Sequence, residues 1–198
     1  MAQRLNQNDQ NFEQAFKTML GAKREQSVDV DLVVRDILAD VRIRGDDALL
    51  EYTAKFDQLT LQADQLRISS EEIASAVASV SADDLEALTL ARDRIRSHHE
   101  KQKPEDSRYT DPIGVELGSR WTPIEAVGLY VPGGTANYPS SVLMNAVPAK
   151  VAGVARIAMV VPTPNGVINP LVLAAADLAG VDEIYRIGGA QAVAALAF

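Results

Sequence analysis

The sequence predicts an α/β protein, a helical amino-terminal region followed by a parallel βαβ sheet. Charge is divided unevenly: residues 113–198 carry four basic and five acidic side chains, whereas the first 112 residues carry 15 and 22, a net of −7. The first part therefore presents solvated faces, and the second is expected to be largely buried. Amphipathic stripes at helical spacing fill the first part, and short apolar runs alternating with helical segments fill the second. Such alternation marks strands covered on both faces and joined by right-handed crossovers.

Taken in order, Phe12, Phe16, Met19 and Leu20 lie at helical spacing, as do Val34, Ile37, Leu38 and Val41. After a break at Gly45 the stripe resumes with Leu49, Tyr52 and Phe56. Ser69 with Glu72 forms a capping-box pattern ahead of Ile73 and Val77, and Ser81 with Asp84 a weaker one ahead of Leu85, Leu88 and Ile95. These stripes read as a scaffold or dimer arm rather than a chemical site. Beyond Lys103-Pro104, Val115 and Leu117 alternate with polar neighbours, and Arg120 to Ile124 is expected to be the second strand of a hairpin.

Ala126 to Val131 reads as a buried strand ended by Pro132-Gly133-Gly134, with Ser140 or Ser141 capping a helix through Ala152. Arg156 to Val161 is the second strand, followed by the turn Pro162 to Gly166 and a helix from about Asn169 to Ala179. Glu183 to Ile187 is the third strand, and a helix begins near Ala190 after Gly188-Gly189. From Ala190 to Phe198 the only polar side chain is Gln191, and the helix stops without a glycine cap or a basic last turn. The chain is therefore expected to be a fragment whose remainder has been cut away, a reading that fits so small a sheet.

The 198 residues, 47% hydrophobic and 23% charged, exclude a disordered or low-complexity chain. A net charge of −8 disfavours a nucleic-acid or anionic-membrane partner. With no cysteine, disulfides, thiolate catalysis and thiolate metal sites are excluded. The opening MAQRLNQNDQNFEQ has no apolar core behind a basic flank, and no apolar run is long enough to span a bilayer, so the expected location is the cytoplasm. The only histidines, His98 and His99, are adjacent and diverge on a helix, which suits the helix carboxyl terminus better than a metal.

The concentrated signal is the segment Tyr130 to Ser141, which holds Pro132-Gly133-Gly134. Open α/β sheets bind ligands beyond the carboxyl ends of their strands. There Tyr130 offers a ring and a hydroxyl, the glycines permit close backbone approach, and the next helix start favours an anion. A plain long turn explains the same residues equally well. Gly188-Gly189-Ala190-Gln191 occupies the matching place after the third strand, which raises the expectation that both loops face one ligand. Asn137 and Tyr138 are left open between contact and loop surface.

The runs VGLYVPGGTANYPSSVLMNAVPAKVAGV and IGGAQAVAALAF, with the earlier RGDDALLEYTAKFD, closely resemble the histidinol dehydrogenase family over about Val30 to Phe198. The resemblance implies an incomplete Rossmann-like, aldehyde-dehydrogenase-like sheet, truncated here, with residues 1–112 as a helical arm and 113–198 as part of a dinucleotide-binding region. It implies an NAD-dependent, zinc-requiring homodimer that takes L-histidinol through the aldehyde to L-histidine by two hydride transfers. Of the family's NAD contacts, one falls on Tyr130 and one on Gln191. The resemblance places a third NAD contact, the zinc ligands, the substrate contacts and the acid–base pair beyond this chain, so no catalytic or metal residue is assigned within it. The alternative is a non-catalytic truncated binding or assembly module.

Overall fold

The computed structural model describes residues 4–133 and 138–198, with the backbone alone over 22–29. Helix α1 runs unbroken from Phe12 to Arg44 and joins two stripes that look separate in the sequence. Gly45 ends it at φ +58, a left-handed value that favours glycine. Helix α2 (Asp46–Asp57) starts at once, and Arg44 bridges the junction, 2.6 Å from Asp40 and 2.8 Å from Glu51. Helix α3 (Ser70–Ser79) carries the expected capping box: Glu72 N–H donates to Ser69 Oγ at 3.2 Å, and Ser69 N–H to Glu72 Oε2 at 2.9 Å. Helix α4 (Ala82–Glu100) starts on the Ser81 cap and ends with His98 and His99 in its last turn.

The hairpin forms, but not where the sequence places it. Strand β1 (Ser107–Thr110) pairs antiparallel with β2 (Glu116–Ser119), and Arg120–Ile124 is not a strand. Asp111 sets the turn, its Oδ1 accepting from Ile113 and Val115 N–H, with Gly114 at φ +90. Trp121 N–H donates to the Asp106 carboxylate rather than to a ladder, and Pro123 has no N–H to offer.

Three parallel strands, β3 (Ala126–Tyr130), β4 (Arg156–Val160) and β5 (Glu183–Tyr185), form a sheet in that order. Helix α5 (Pro139–Ala152) connects β3 to β4, and α6 (Pro170–Ala179) connects β4 to β5. Side chains alternate across a strand, so Met159 faces the core of α5 and α6 while Val160 faces α7 (Gly189–Ala197). Helices α3 and α4 pack outside α5 and α6, and α1 and α2 pack against α7 through Ile37, Val41, Ala48, Leu49 and Ala194. The architecture is the expected α/β one, with a three-stranded sheet among the described residues.

Local departures have simple causes. Helix α5 starts from Tyr138 with Pro139 in its first turn, so Ser140 and Ser141 lie inside the helix and neither caps it. Helix α6 is capped by Asn169, a cap the sequence reading did not name, with Leu171 N–H donating to Asn169 Oδ1 at 2.8 Å. Strand β5 stops at Tyr185, and Arg186 N–H turns instead to Leu66 O at 2.9 Å. Strand β3 is half-exposed rather than buried, because it has a neighbour on one side only.

Candidate functional site

The loops after β3, β4 and β5 meet at the carboxyl end of the sheet, and Pro162 is their common wedge. A Cβ at Gly133 would lie 2.7 Å from Pro162 O, and one at Gly188 would lie 2.6 Å from the Pro162 ring. No side chain fits at either place without moving the loops apart, so two of the sequence's glycines serve close backbone approach. The remainder of the first loop, Gly134 to Asn137, lies outside the described residues. Tyr138 is exposed at the start of α5.

Tyr130 and Gln191 come to this junction. The Tyr130 hydroxyl accepts a hydrogen bond from Gly189 N–H at 3.2 Å, tying the end of β3 to the first residue of α7. Gly189 sits at φ +66, again a left-handed value. Its N–H is one of the free donors at a helix start, and the phenol oxygen satisfies it. Tyr130 keeps its own O–H to donate and is 39% exposed.

Gln191, in the first turn of α7, is only 1% exposed, yet neither its Oε1 nor its Nε2 has a hydrogen-bond partner among the described residues. Thr163, in the loop after β4, is 2% exposed with its hydroxyl unpaired in the same way. Buried polar groups without partners are costly and uncommon in folded proteins. Both lie on adjacent loops at the carboxyl edge of the sheet. Among the described residues Asp57 Oδ2 and Arg186 Nε are also without a partner. Thr163 is the residue that sequence reasoning missed; its signal was a hydroxyl between two prolines at the same strand end as Gly133 and Gly188.

The electrostatics are plain. Arg186, next to Gly188, is the charged side chain at these loops, and it donates to both carboxylate oxygens of Glu72 at 2.6 and 2.7 Å. That contact, with the Ser69 N–H, holds the Glu72 carboxyl below its ordinary range. Among the described residues of these three loops there is no carboxylate or imidazole. His98 lies at the end of α4, its Nε2 3.1 Å from Gln102 Nε2. Among the described residues no group of three or more His, Asp or Glu lies close enough to hold a metal ion.

Residues 21–198 match the model of a family described as Histidinol dehydrogenase. The histidinol dehydrogenase of Mesorhizobium japonicum is 62% identical over 198 residues, covering 100% of this chain and 46% of its own length. That of Bradyrhizobium diazoefficiens is 64% identical over 197 residues, again with 46% of its length covered. A crystal structure of histidinol dehydrogenase from Elizabethkingia anophelis superposes with a TM-score of 0.80 at 37% identity, over 84% of this chain and 38% of that one. The chain spans about half the length of the curated relatives it matches.

Proposed function

The chain belongs to the histidinol dehydrogenase family, and on that premise we propose that it supplies the dinucleotide-binding part of an NAD-dependent enzyme. That enzyme oxidises L-histidinol through L-histidinal to L-histidine, the last steps of histidine biosynthesis. Within the chain, residues 113–198 form part of the dinucleotide-binding region and residues 1–112 a helical arm. The single observation that carries the reading is the buried, unpaired amide of Gln191 beside the Tyr130–Gly189 hydrogen bond. An amide that both donates and accepts suits the ring and ribose polar groups of a nucleotide.

Tyr130 and Gln191 bind and orient in this reading, and Thr163 adds a hydroxyl from the loop between them. Bound NAD+ supplies a hydride acceptor. The described residues provide no acid–base pair at the loops, so proton transfer is not assigned to them. Zinc does not fit the described residues, and no step is routed through it. The family resemblance supports a homodimer working in the cytoplasm. Among the described residues no helix is long and apolar enough to cross a membrane.

The test titrates NAD+ into the chain and follows the backbone amide resonances of Gly188, Gly189 and Gln191. Saturable shifts that disappear in Gln191→Ala support the reading. Unmoved resonances with NAD+ in large excess refute it.

A further inference from the structure

The chain enters the Gly188–Gln191 loop from the end of β5, and a segment of the helical arm holds that end. The last rung toward β4 runs from Val161 N–H to Tyr185 O at 3.1 Å. On the outer side, Ile68 N–H donates to Ile184 O at 2.8 Å and Arg186 N–H to Leu66 O at 2.9 Å. Leu66–Ile68 is thus a short strap along β5, antiparallel to it at Arg67 and Tyr185. Past Arg186, the next backbone donor with a partner among the described residues is Gly189, which reaches the Tyr130 hydroxyl at 3.2 Å. Arg186 is the last backbone tether before the loop that carries Gln191.

One side chain of the arm grips that tether. Helix α3 follows the strap, and Glu72 in its first turn makes two sets of contacts. Its Oε2 accepts from Ser69 N–H at 2.9 Å, closing the capping box, and both its oxygens accept from Arg186 Nη2, at 2.6 and 2.7 Å. Strap, helix cap and Arg186 are joined through one carboxylate. The Glu72 side chain is half-exposed, and ion pairs open to water contribute little to overall stability. What the pair fixes is a place. Downstream the fit is close: Ile187 is buried with Leu66 and Val160, and a Cβ at Gly188 would stand 2.6 Å from the Pro162 ring. At 3.2 Å the Gly189–Tyr130 bond is at the long end of the ordinary range, so a small shift of the loop breaks it.

We propose that Glu72 is a positioning residue: through Arg186 it holds the Gly188–Gln191 loop where Gly189 N–H meets the Tyr130 hydroxyl, and so sets the affinity of this end of the sheet for a nucleotide. The affinity half rests on the proposed dinucleotide function, and the positioning half does not. Glu72 touches no ligand and acts only through Arg186. The helical arm thereby tunes a loop of the sheet. Glu72→Gln separates the two sets of contacts. It keeps the capping box, because an amide oxygen accepts from Ser69 N–H as a carboxylate does. It offers Arg186 one acceptor and no charge.

The experiment uses the full chain and follows hydrogen exchange of the Gly189 amide by NMR, first without NAD+. Glu72→Gln and Arg186→Met are each expected to speed that exchange by about fivefold, the scale of one partly exposed ion pair. The double variant is expected to match either single one, because both remove the same contact. Ser69→Ala cuts the α3 cap and leaves the pair, so it lowers the urea midpoint without changing Gly189. With NAD+, the Gln191 resonance of Glu72→Gln is expected to half-saturate at about fivefold higher concentration than in the unsubstituted chain. Should Arg186→Met unfold by circular dichroism, the contrast between Glu72→Gln and Ser69→Ala decides. The proposal is overturned if Gly189 exchange is unchanged in Glu72→Gln, equally fast in Ser69→Ala, or additive in the double variant. An NAD+ midpoint that stays put while Gly189 opens also overturns it. If the unsubstituted chain binds no NAD+, the dinucleotide function falls and the affinity half with it, and the Gly189 rates decide the positioning half.

Discussion

At the scale of single residues, Gln191 separates a binding role from a structural one. Its amide is buried and has no hydrogen-bond partner among the described residues, so no hydrogen bond to them rewards its burial. Gln191→Met, similar in shape and apolar, is expected to leave the urea midpoint unchanged or higher while NAD+ shifts are lost. A drop in the midpoint would show that the amide is paired structurally. Tyr130→Phe keeps the ring and removes the acceptor for Gly189 N–H, and is expected to weaken NAD+ binding by about fivefold, the equivalent of about 1 kcal/mol for one neutral hydrogen bond. Isothermal titration checks it. Gly188 was legible as a turn residue; that it must be glycine because the Pro162 ring stands 2.6 Å from its missing Cβ was not, since the ring arrives from another loop.

At the scale of elements, local signals and long-range ones part company. The Ser69–Glu72 capping box was legible because it is closed within three residues. Ser69→Ala should cost about 1 kcal/mol in denaturant unfolding. The hairpin was misplaced because its register follows from the Asp111 side chain in the turn, not from the apolar alternation of Val115 and Leu117. At the start of β5, Arg156 donates to Glu183 at 2.8 and 3.1 Å and Tyr185 O–H donates at 2.6 Å. These bonds hold the Glu183 carboxyl down at about 2, against an ordinary 4.5. A depressed carboxyl contributes stability above its unfolded value, and that contribution is lost as pH falls from about 4.5 toward about 2. Glu183→Gln should therefore flatten the fall of the urea midpoint across that window. An unchanged slope would show that the pair is solvated.

At the scale of the whole molecule, the described residues hold no group of three or more His, Asp or Glu placed to bind a metal ion. Its carboxylates lie mainly on the solvated faces of α1 to α4, and its two histidines sit in one helix turn. Dialysed chain is expected to retain well under one zinc and to form no NADH from histidinol. One zinc per chain by atomic absorption, or NADH formation above a protein-free blank, would place the catalytic centre within these residues.

The order of helices and strands, the parallel sheet and the pairing of the Tyr130 and Gln191 loops followed from the sequence. Periodicity, capping pairs and glycine turns are written within short windows, and crossover handedness leaves few topologies. What the tertiary structure decided depends on contacts between distant residues: Pro162 wedged between Gly133 and Gly188, and the Tyr130 hydroxyl on Gly189 N–H. The unpaired Thr163 and the bare edge of β3 belong with them. Whether a polar group has a partner is a property of everything that folds around it, and no window of sequence contains that.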